Sequence, residues 1–287
     1  MAFKVWGVIF MDTIDTLNNY DDIKEHIKFF TTSSVRTNII LSLNRGNKDL
    51  NGIKAELNLE SSAALHALKK LENQNIIVKK EDKYSLSSFG KIYAIKSESL
   101  FKSFYAIKKC KKIWLDHWIN GIPNELIKEM GCLRNSFLVE STPTDIIKPH
   151  SHYAELISKS HKIKGVSPIF YYPYIDLYRK VLKQNADLEL VLTPLILDKT
   201  SETAGVEILK KAITSKGLKL YKIDEDIKIV FTVTENFLSI GLFSIEGLYD
   251  ATINLISHDA DAIAWGNKLF EYYHQKAEKV NLDYFNK

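Results

Sequence analysis

The chain has 287 residues, of which 45% are hydrophobic and 26% charged, a composition that suits a globular protein of about two domains. Its longest early apolar run, from Phe3 to Met11, is interrupted by Lys4, is far shorter than the roughly 20 residues of a membrane span, and lacks the flanks of a cleavable signal. Because Cys110 and Cys132 form neither a CxxC pair nor a disulfide framework, we expect a cytoplasmic protein with no membrane partner.

Charge is distributed unevenly along the chain. Residues 1–120 contain 19 Lys and Arg against 13 Asp and Glu, a net charge of +6, whereas residues 121–287 contain 20 against 22, a net charge of −2. A polyanion should therefore prefer the N-terminal part. Residues 1–20 show no clear helical period and are assigned to an N-terminal extension, in which Met11 could serve as an alternative initiator.

Four short helices are predicted between residues 21 and 73. The first shows apolar residues at three- to four-residue spacing, the second follows the N-cap pair Ser33-Ser34 and ends before Gly46, and the third ends before Asn58. The fourth begins near Ser61. The residues expected to point inward from it are Ala64, Leu65, Leu68 and Leu71. Two short helices joined by a tight turn form a helix-turn-helix.

A β-hairpin follows the fourth helix. Residues 76–80 and 84–86 alternate in polarity around the polar turn Glu81-Asp82-Lys83, which predicts two antiparallel strands. This hairpin would be the wing, so residues 21–87 predict a winged helix-turn-helix domain.

A long helix capped by Ser87 or Ser88 is predicted within a connecting segment, residues 88–120. Its apolar positions are spaced by threes, fours and sevens and are Phe89, Tyr93, Leu100, Phe104, Ile107, Trp114 and Trp118. Such a stripe fits either a dimer seam between two chains or a core face that joins two domains.

Strands and helices alternate beyond Gly121, which predicts a C-terminal α/β domain over residues 121–287 and a mixed α+β and α/β fold for the whole chain. Strands are expected at 137–139, 188–192 and 218–223, helices at 153–162, 174–183 and 204–215, and a hairpin at 227–233 and 238–243. A last helix, 259–279, would have Asp259 and Asp261 at its N-terminal dipole.

Several segments resemble archaeal winged-helix transcription regulators of the filamentation and methanogenesis regulator family. The segments SSVRTNIILSLNRG and ELNLESSAALHALKKLENQNIIVKKEDKYSLSSFGK resemble the winged-helix domain, and WLDHWINGIPNELIKEMGCL and FTVTENFLSIGLFSIEGLYDATINLISHDADAIAWGNKLFEYYHQKA resemble the C-terminal domain. The resemblance covers nearly all of the chain after Asp21. It implies a DNA-binding regulator with a C-terminal sensing domain and no cofactor.

The fourth helix of a winged helix enters the major groove. Its residues outside the predicted core are Ser61, Ser62, Ala63, His66, Lys69 and Lys70. Ser62 and His66 lie four apart on one face and can bond base edges, whereas Lys69 and Lys70 lie a turn further on, where phosphates are expected. Without Arg, Asn or Gln in its first two turns, the helix does not reveal the operator sequence.

Other cations of the module are expected to contact phosphates: Lys79, Lys80 and Lys83 on the wing, and Arg36 and Lys54 near helix starts. The alternative for each lysine alone is a solvated surface charge. Their clustering on one module favours DNA.

An effector site is predicted around the segment from Pro168 to Tyr174. Its candidate residues are Tyr171, Tyr172 and Tyr174, with Arg134, His150 and His152 as polar partners. The alternative is that these tyrosines only pack at a domain surface. A metal held by His150, His152 and His161 would lack a carboxylate or Cys at ligand spacing, so no metal site is assigned.

Catalytic motifs are absent from the sequence. It contains no GxSxG elbow, P-loop, GxGxxG after a strand or HExxH, and Ser257-His258-Asp259 is interpreted as a strand end followed by a helix cap. We therefore expect a homodimeric, non-enzymatic regulator that binds double-stranded DNA and responds to a small molecule or partner. The alternative is a winged-helix adaptor that binds proteins instead of DNA, against which the clustered lysines argue.

Overall fold

The computed structural model describes residues 19–215 and 217–286, and the chain divides into two units, one ending at Ser99 and the other beginning at Leu100. Most of the predicted extension, residues 1–20, and the apolar run from Phe3 to Met11 lie outside the described residues. Residues 19 and 20 are helical. Among the described helices, none is both long and apolar enough to cross a bilayer.

The first unit is a winged helix-turn-helix. Its elements are α1 (described residues 19–31), α2 (Ser34–Asn44), β1 (Lys48–Asp49), α3 (Leu50–Leu57), α4 (Ser61–Asn73), β2 (Ile77–Lys80) and β3 (Lys83–Leu86). The three strands form an antiparallel sheet in the order β1-β3-β2. The four predicted helices and the hairpin are all confirmed.

Local hydrogen bonds explain where these elements begin and end. The Ser33 hydroxyl accepts from the Arg36 N–H at the start of α2, and the Asp49 carboxylate accepts from the Gly52 N–H at 2.8 Å at the start of α3. Asn58 adopts the left-handed conformation that ends α3. Glu81, also left-handed, makes the tight turn between β2 and β3.

A long helix, α5 (Ser88–Lys109), follows the wing. The prediction that Ser87 caps it is confirmed, since the Ser87 hydroxyl accepts from the Gly90 N–H at 2.9 Å. The predicted stripe is too long, because the helix breaks at Cys110: Trp114 lies in the short α6 (Lys111–Leu115) and Trp118 beyond it. Large apolar side chains of α5 are exposed, namely Phe89, Ile92, Ile95, Leu100, Phe104, Tyr105 and Ile107.

The second unit is built on one mixed sheet of eight strands. Its elements after α6 are α7 (Asn124–Ile127), a 3₁₀ turn (Met130–Leu133), β4 (Phe137–Glu140), α8 (Lys148–Ile157), β5 (Lys162–Ser167), α9 (Pro173–Lys183), β6 (Asp187–Leu192), α10 (Pro194–Ala204), α11 (Val206–Thr214), β7 (Leu218–Lys222), β8 (Ile229–Thr234), β9 (Leu238–Leu242), β10 (Ile253–Ser257), α12 (Ala260–His274), β11 (Glu278–Lys279) and a 3₁₀ turn (Leu282–Asn286). The strand order is β11-β7-β6-β5-β8-β9-β10-β4, with β5, β6 and β7 parallel. The mixed fold class is confirmed.

Three predicted boundaries are wrong. The helix expected at 153–162 begins at Lys148, where Pro149 occupies its first turn, and residues 162–167 form β5 instead. The helix expected at 204–215 is the second of two, because Gly205 with φ +85° interrupts the helical backbone between α10 and α11. The last helix ends at His274 rather than at residue 279.

Strands β8, β9 and β10 have two chemically different faces. One face carries apolar side chains such as Phe231, Ile240 and Leu255, which pack with Trp265 of α12. At the alternate positions the opposite face carries two apolar residues, Val230 and Ile256, and otherwise small and polar ones: Thr232, Thr234, Ser239, Gly241 and Asn254. This polar face is covered from the side of α8, where Tyr153 bonds Thr232.

Candidate nucleic-acid interface and effector cavity

The outer face of α4 displays all the side chains predicted for it. Those side chains, each exposed, are Ser61, Ser62, Ala63, His66, Lys69 and Lys70. One inward prediction is wrong: Leu65 is 47% exposed, and Ala67 is buried in its place beside Leu68 and Leu71. Ser62, Leu65, His66 and Lys69 share one helical face, so the face combines two polar groups, a cation and an apolar side chain.

The wing adds three more exposed cations. Lys79 and Lys80 lie on β2 and Lys83 begins β3, with Lys79 5.4 Å from the centre of the Tyr84 ring. The acidic residues Glu81 and Asp82 occupy the turn, so positive charge lies along the strands and not at the tip.

None of the five lysines of α4 and the wing has a carboxylate partner among the residues that the structure describes. Elsewhere in this unit, Lys28 pairs with Glu25 at 2.7 Å and Lys48 with Glu56 at 3.2 Å. The lysines of α4 and the wing therefore present unneutralised charge to solvent, which is what a polyanion requires.

Arg36 and Lys54 differ from these lysines. The Arg36 guanidinium donates to the Phe29 carbonyl from Nε at 3.0 Å and from Nη2 at 2.8 Å, and it lies 4.3 Å from the centre of the Phe29 ring. These contacts tie α2 to the end of α1, so Arg36 has a structural role. Lys54 is half-exposed on α3.

The six residues predicted for an effector site do not form one site. His150 Nδ1 lies 2.8 Å from the Tyr174 hydroxyl, and its ring stacks on Tyr171 at 4.3 Å, so these three residues come together. Burial lowers the pKa of His150. Tyr172 is 64% exposed.

The other two predicted residues lie apart from that cluster. Arg134 instead pairs with Asp261 at 2.8 Å, and His152 packs beside Phe137. Only Tyr174, of the six, lines the cavity described next.

That cavity, of about 40 Å³, lies on the polar face of β8, β9 and β10. Its polar lining consists of Tyr153, Ser167, Tyr174, Thr232, Ser239, Tyr249 and Asn254, with Gly241 between them. The Tyr153 hydroxyl is within 2.8 Å of the Tyr178 hydroxyl and 2.9 Å of the Thr232 hydroxyl, so those groups satisfy one another. We name this site the Asn254 cavity.

The Asn254 side chain is not satisfied in this way. It is 6% exposed, and its Oδ1 is buried without a hydrogen-bond partner among the described residues. Gly241 makes room for it, because a Cβ at that position would lie 2.9 Å from Asn254 Oδ1 and 2.5 Å from the Tyr249 hydroxyl. The cavity thus holds an unused amide beside a phenol.

The phenols that line the Asn254 cavity remain neutral. Burial raises the pKa of Tyr153, Tyr174 and Tyr249 well above the ordinary value. Among the described residues, no Asp, Glu, Lys, Arg or His lines the cavity, and its remaining side chains are apolar: Ile169, Val230 and Phe231. The lining therefore combines uncharged polar groups with apolar ones.

Sequence reasoning missed Thr232, Ser239, Gly241, Tyr249 and Asn254. A signal was present: in Leu238–Leu242 small residues alternate with large apolar ones, and Asn254 interrupts the apolar strand β10. Such alternation inside a fully buried strand indicates a face that does not serve the apolar core.

The structure also bears on the Ser257-His258-Asp259 segment and on metal binding. Ser257 ends β10, and Asp259 caps α12 by accepting from the Asp261 N–H at 2.8 Å, so the strand-end and cap interpretation is confirmed. Within residues 19–215 and 217–286, no group of three or more His, Cys, Asp and Glu side chains could hold a metal ion.

Comparisons with known proteins give a consistent family. The model of the N-terminal domain of methanogenesis regulatory protein FilR1 matches residues 24–105, and the model of its middle domain matches residues 146–276. Methanogenesis regulatory protein FilR1 of Methanothrix harundinacea (strain 6Ac) is 28% identical over 263 residues, which are 91% of this chain. The chain spans 59% of that relative's length.

Two solved structures are also similar, at TM-scores too low to support a functional argument. TrmBL2, described as an archaeal chromatin protein with a novel mode of DNA binding, has 16% identity and a TM-score of 0.42 over 92% of this chain and 99% of its own. An IcIR transcriptional regulator from Alicyclobacillus acidocaldarius has 10% identity and a TM-score of 0.24 over 88% of this chain and 98% of its own. With both domain models matched in order, the chain belongs to the FilR1 family of archaeal methanogenesis regulatory proteins.

Proposed function

We propose that the chain is a transcriptional regulator that binds double-stranded DNA through α4 and the wing, and acts in the cytoplasm as a homodimer that responds to an effector. The observation that carries the proposal is the set of five exposed lysines on α4 and the wing, none of which has a carboxylate partner within residues 19–215 and 217–286. The proposal assigns residues 21–87 to DNA binding, 88–120 to the connection and 121–287 to sensing. The family is described as regulatory and not as an enzyme, in agreement with the expected lack of catalysis.

DNA contact divides between the two elements. Ser62 and His66 face outward on the first two turns of α4, where the recognition helix of a winged helix meets base edges. Lys69 and Lys70 lie a turn further on and, with the wing lysines, would neutralise phosphates. Arg36 is proposed to contact a phosphate through its remaining donors, because the Phe29 carbonyl accepts only from Nε and from one N–H of Nη2.

Dimerisation is proposed from the exposed apolar side chains of α5. Seven large apolar residues of this 22-residue helix are exposed to solvent. A helix whose outer face only meets water would carry polar residues there. The double substitution Ile92→Glu and Ile95→Glu should convert a dimer to a monomer in sedimentation velocity. A chain that sediments as a monomer at every concentration would contradict this part of the proposal.

The experiment that tests DNA binding is fluorescence anisotropy of the full chain with DNA from upstream of its own gene and with scrambled DNA. Lys69→Ala should weaken binding to both, and His66→Ala should reduce the difference between them. Lys28→Ala is the matched control, because Lys28 is exposed in the same unit but already paired with Glu25. Because the relative is described as a methanogenesis regulatory protein, upstream regions of methane-producing metabolism are the next DNA to test.

A protein-binding adaptor is the second candidate, favoured by one observation: the exposed Leu65 on the outer face of α4. In the DNA proposal the same side chain can contact a thymine methyl group. Negligible affinity for every DNA, with unchanged folding, would favour the adaptor.

A further inference from the structure

The polar face of β8, β9 and β10 is unusual because it is buried. Thr232, Thr234, Ser239 and Asn254 are all at most 6% exposed, while the opposite face of the same strands is apolar except for Ser257 at the end of β10. At Asn254 an apolar side chain would stabilise the sheet, since burying a polar group is unfavourable unless it is bonded, and Asn254 Oδ1 has no partner among the described residues. We propose that the Asn254 cavity is the effector site and that it binds a small uncharged molecule through an amide or hydroxyl group.

The unpaired amide is the observation that points to a ligand. Buried polar side chains nearly always have a hydrogen-bond partner, and Thr234 shows the usual case: its hydroxyl accepts from the N–H groups of Asn236 and Phe237, each at 3.1 Å. Asn254 Oδ1 has no such partner among the described residues. A ligand N–H or O–H would supply it.

Charge limits the chemistry of the ligand. The polar part of the cavity lining consists of alcohols, phenols and one amide, the rest of the lining is apolar, and burial raises the pKa of the phenols. A carboxylate or an ammonium group would therefore lose its hydration without gaining a counter-charge. An amide or a hydroxyl loses less and can bond both Asn254 and the neighbouring Tyr249 hydroxyl.

Size limits it further. A volume of about 40 Å³ exceeds the roughly 10–15 Å³ that one water needs and is well below the roughly 150 Å³ of a cavity that encloses benzene. The group that enters is therefore small, on the order of three to five non-hydrogen atoms. The inference rests on the proposed sensing role only in calling the ligand an effector of DNA binding, since the ligand can bind the cavity without DNA.

The test uses three molecules of one shape and different charge: acetamide, acetate and acetamidinium. Each is titrated into the full chain, followed by the melting temperature and by the ¹⁵N–¹H resonances of the Asn254 side-chain amide. Acetamide should raise the melting temperature and shift those resonances along a saturable curve, with a Kd on the order of 1–100 mM for so small a ligand. Acetate and acetamidinium should do neither.

Two variants separate binding from folding. Asn254→Leu should abolish the acetamide response and raise the melting temperature of the free protein by about 2–4 °C, because it removes an unpaired buried amide. The matched control Thr234→Val should lower the melting temperature and keep the response, because it removes a bonded hydroxyl on the same face.

Several results would overturn the inference: no saturable response to acetamide, a response to acetate or acetamidinium equal to the response to acetamide, or an Asn254→Leu protein that is less stable and still responds. Failure here leaves the anisotropy assay unaffected, and failure of DNA binding leaves the acetamide titration interpretable. The two proposals can therefore fall separately.

Discussion

Removal of two wing lysines should flatten the salt dependence of DNA binding by a calculable amount. Lys79 and Lys80 are exposed neighbours on β2 and have no carboxylate partner in the described part of the chain. Each lysine that neutralises a phosphate contributes about −0.9 to the slope of log K against log salt. The double variant Lys79→Ala and Lys80→Ala should therefore lose about 1.8 from the slope per chain and about 3.6 per dimer.

The assay is anisotropy with one duplex at several salt concentrations between about 50 and 200 mM. Raising the salt concentration fourfold weakens DNA binding of both proteins. A slope smaller by about 3.6 makes this loss of affinity about 150-fold smaller for a dimeric variant than for the unsubstituted protein, and a slope smaller by about 1.8 makes it about 12-fold smaller for a monomer. Lys28→Ala should leave the slope nearly unchanged, because Glu25 at 2.7 Å already neutralises that lysine. A wing variant with the parental slope would refute the reasoning, since these lysines would then not touch DNA.

Two further predictions concern stability. Gly90→Ala should destabilise the first unit by about 2 kcal/mol in urea unfolding, because the added Cβ would lie 1.9 Å from the Ile76 carbonyl oxygen. This cost exceeds the roughly 1 kcal/mol by which Ala is the better helix former. A gain in stability would show that the contact relaxes. Burial raises the pKa of Glu235, but hydrogen bonds from the N–H groups of His161 at 2.7 Å and Lys162 at 3.0 Å lower it overall. The Glu235 carboxylate therefore stabilises the folded protein above its unfolded pKa, and this contribution is lost as pH falls through its folded pKa. Glu235→Gln should therefore reduce stability at pH 7 and flatten its decline below pH 4.5, as thermal unfolding would show, and an unchanged acid profile would contradict this.

The winged helix could be predicted from sequence because its signals are local. Ser33 and Ser87 cap helices within three residues of themselves, and the hairpin is closed by a two-residue turn at Glu81. Leu65 is the exception. The spacing of the fourth helix allowed either Leu65 or Ala67 to complete the inward stripe, and Ala67 fits the crowded position beside Leu68 while Leu65 is left outside.

The second unit could be predicted only in outline because its decisive contacts are distant in sequence. The prediction extended the helix of α8 to residue 162 and missed β5, since a six-residue strand in a mixed sheet carries little periodicity of its own. Of the predicted tyrosine cluster, Tyr174 lines the Asn254 cavity. Its partners in that cavity come from β8, β9 and β10, more than 50 residues further on, so no spacing within the cluster could reveal them.

The two faces of β8, β9 and β10 show why such a site is hard to read from sequence and still identifiable from structure. On the apolar face, α12 packs so closely that a Cβ on Gly266 would lie 2.7 Å from Leu238, and the residues there are explained by packing alone. On the polar face, packing explains the missing side chain of Gly241, where a Cβ would collide with Tyr249 and Asn254. Packing does not explain the unpaired Oδ1 of Asn254, because a buried leucine would stabilise the sheet more. Asn254 lowers the stability of a sheet that its buried neighbours stabilise, which favours a role in binding. The Asn254→Leu variant measures both the stability of the protein and its response to acetamide.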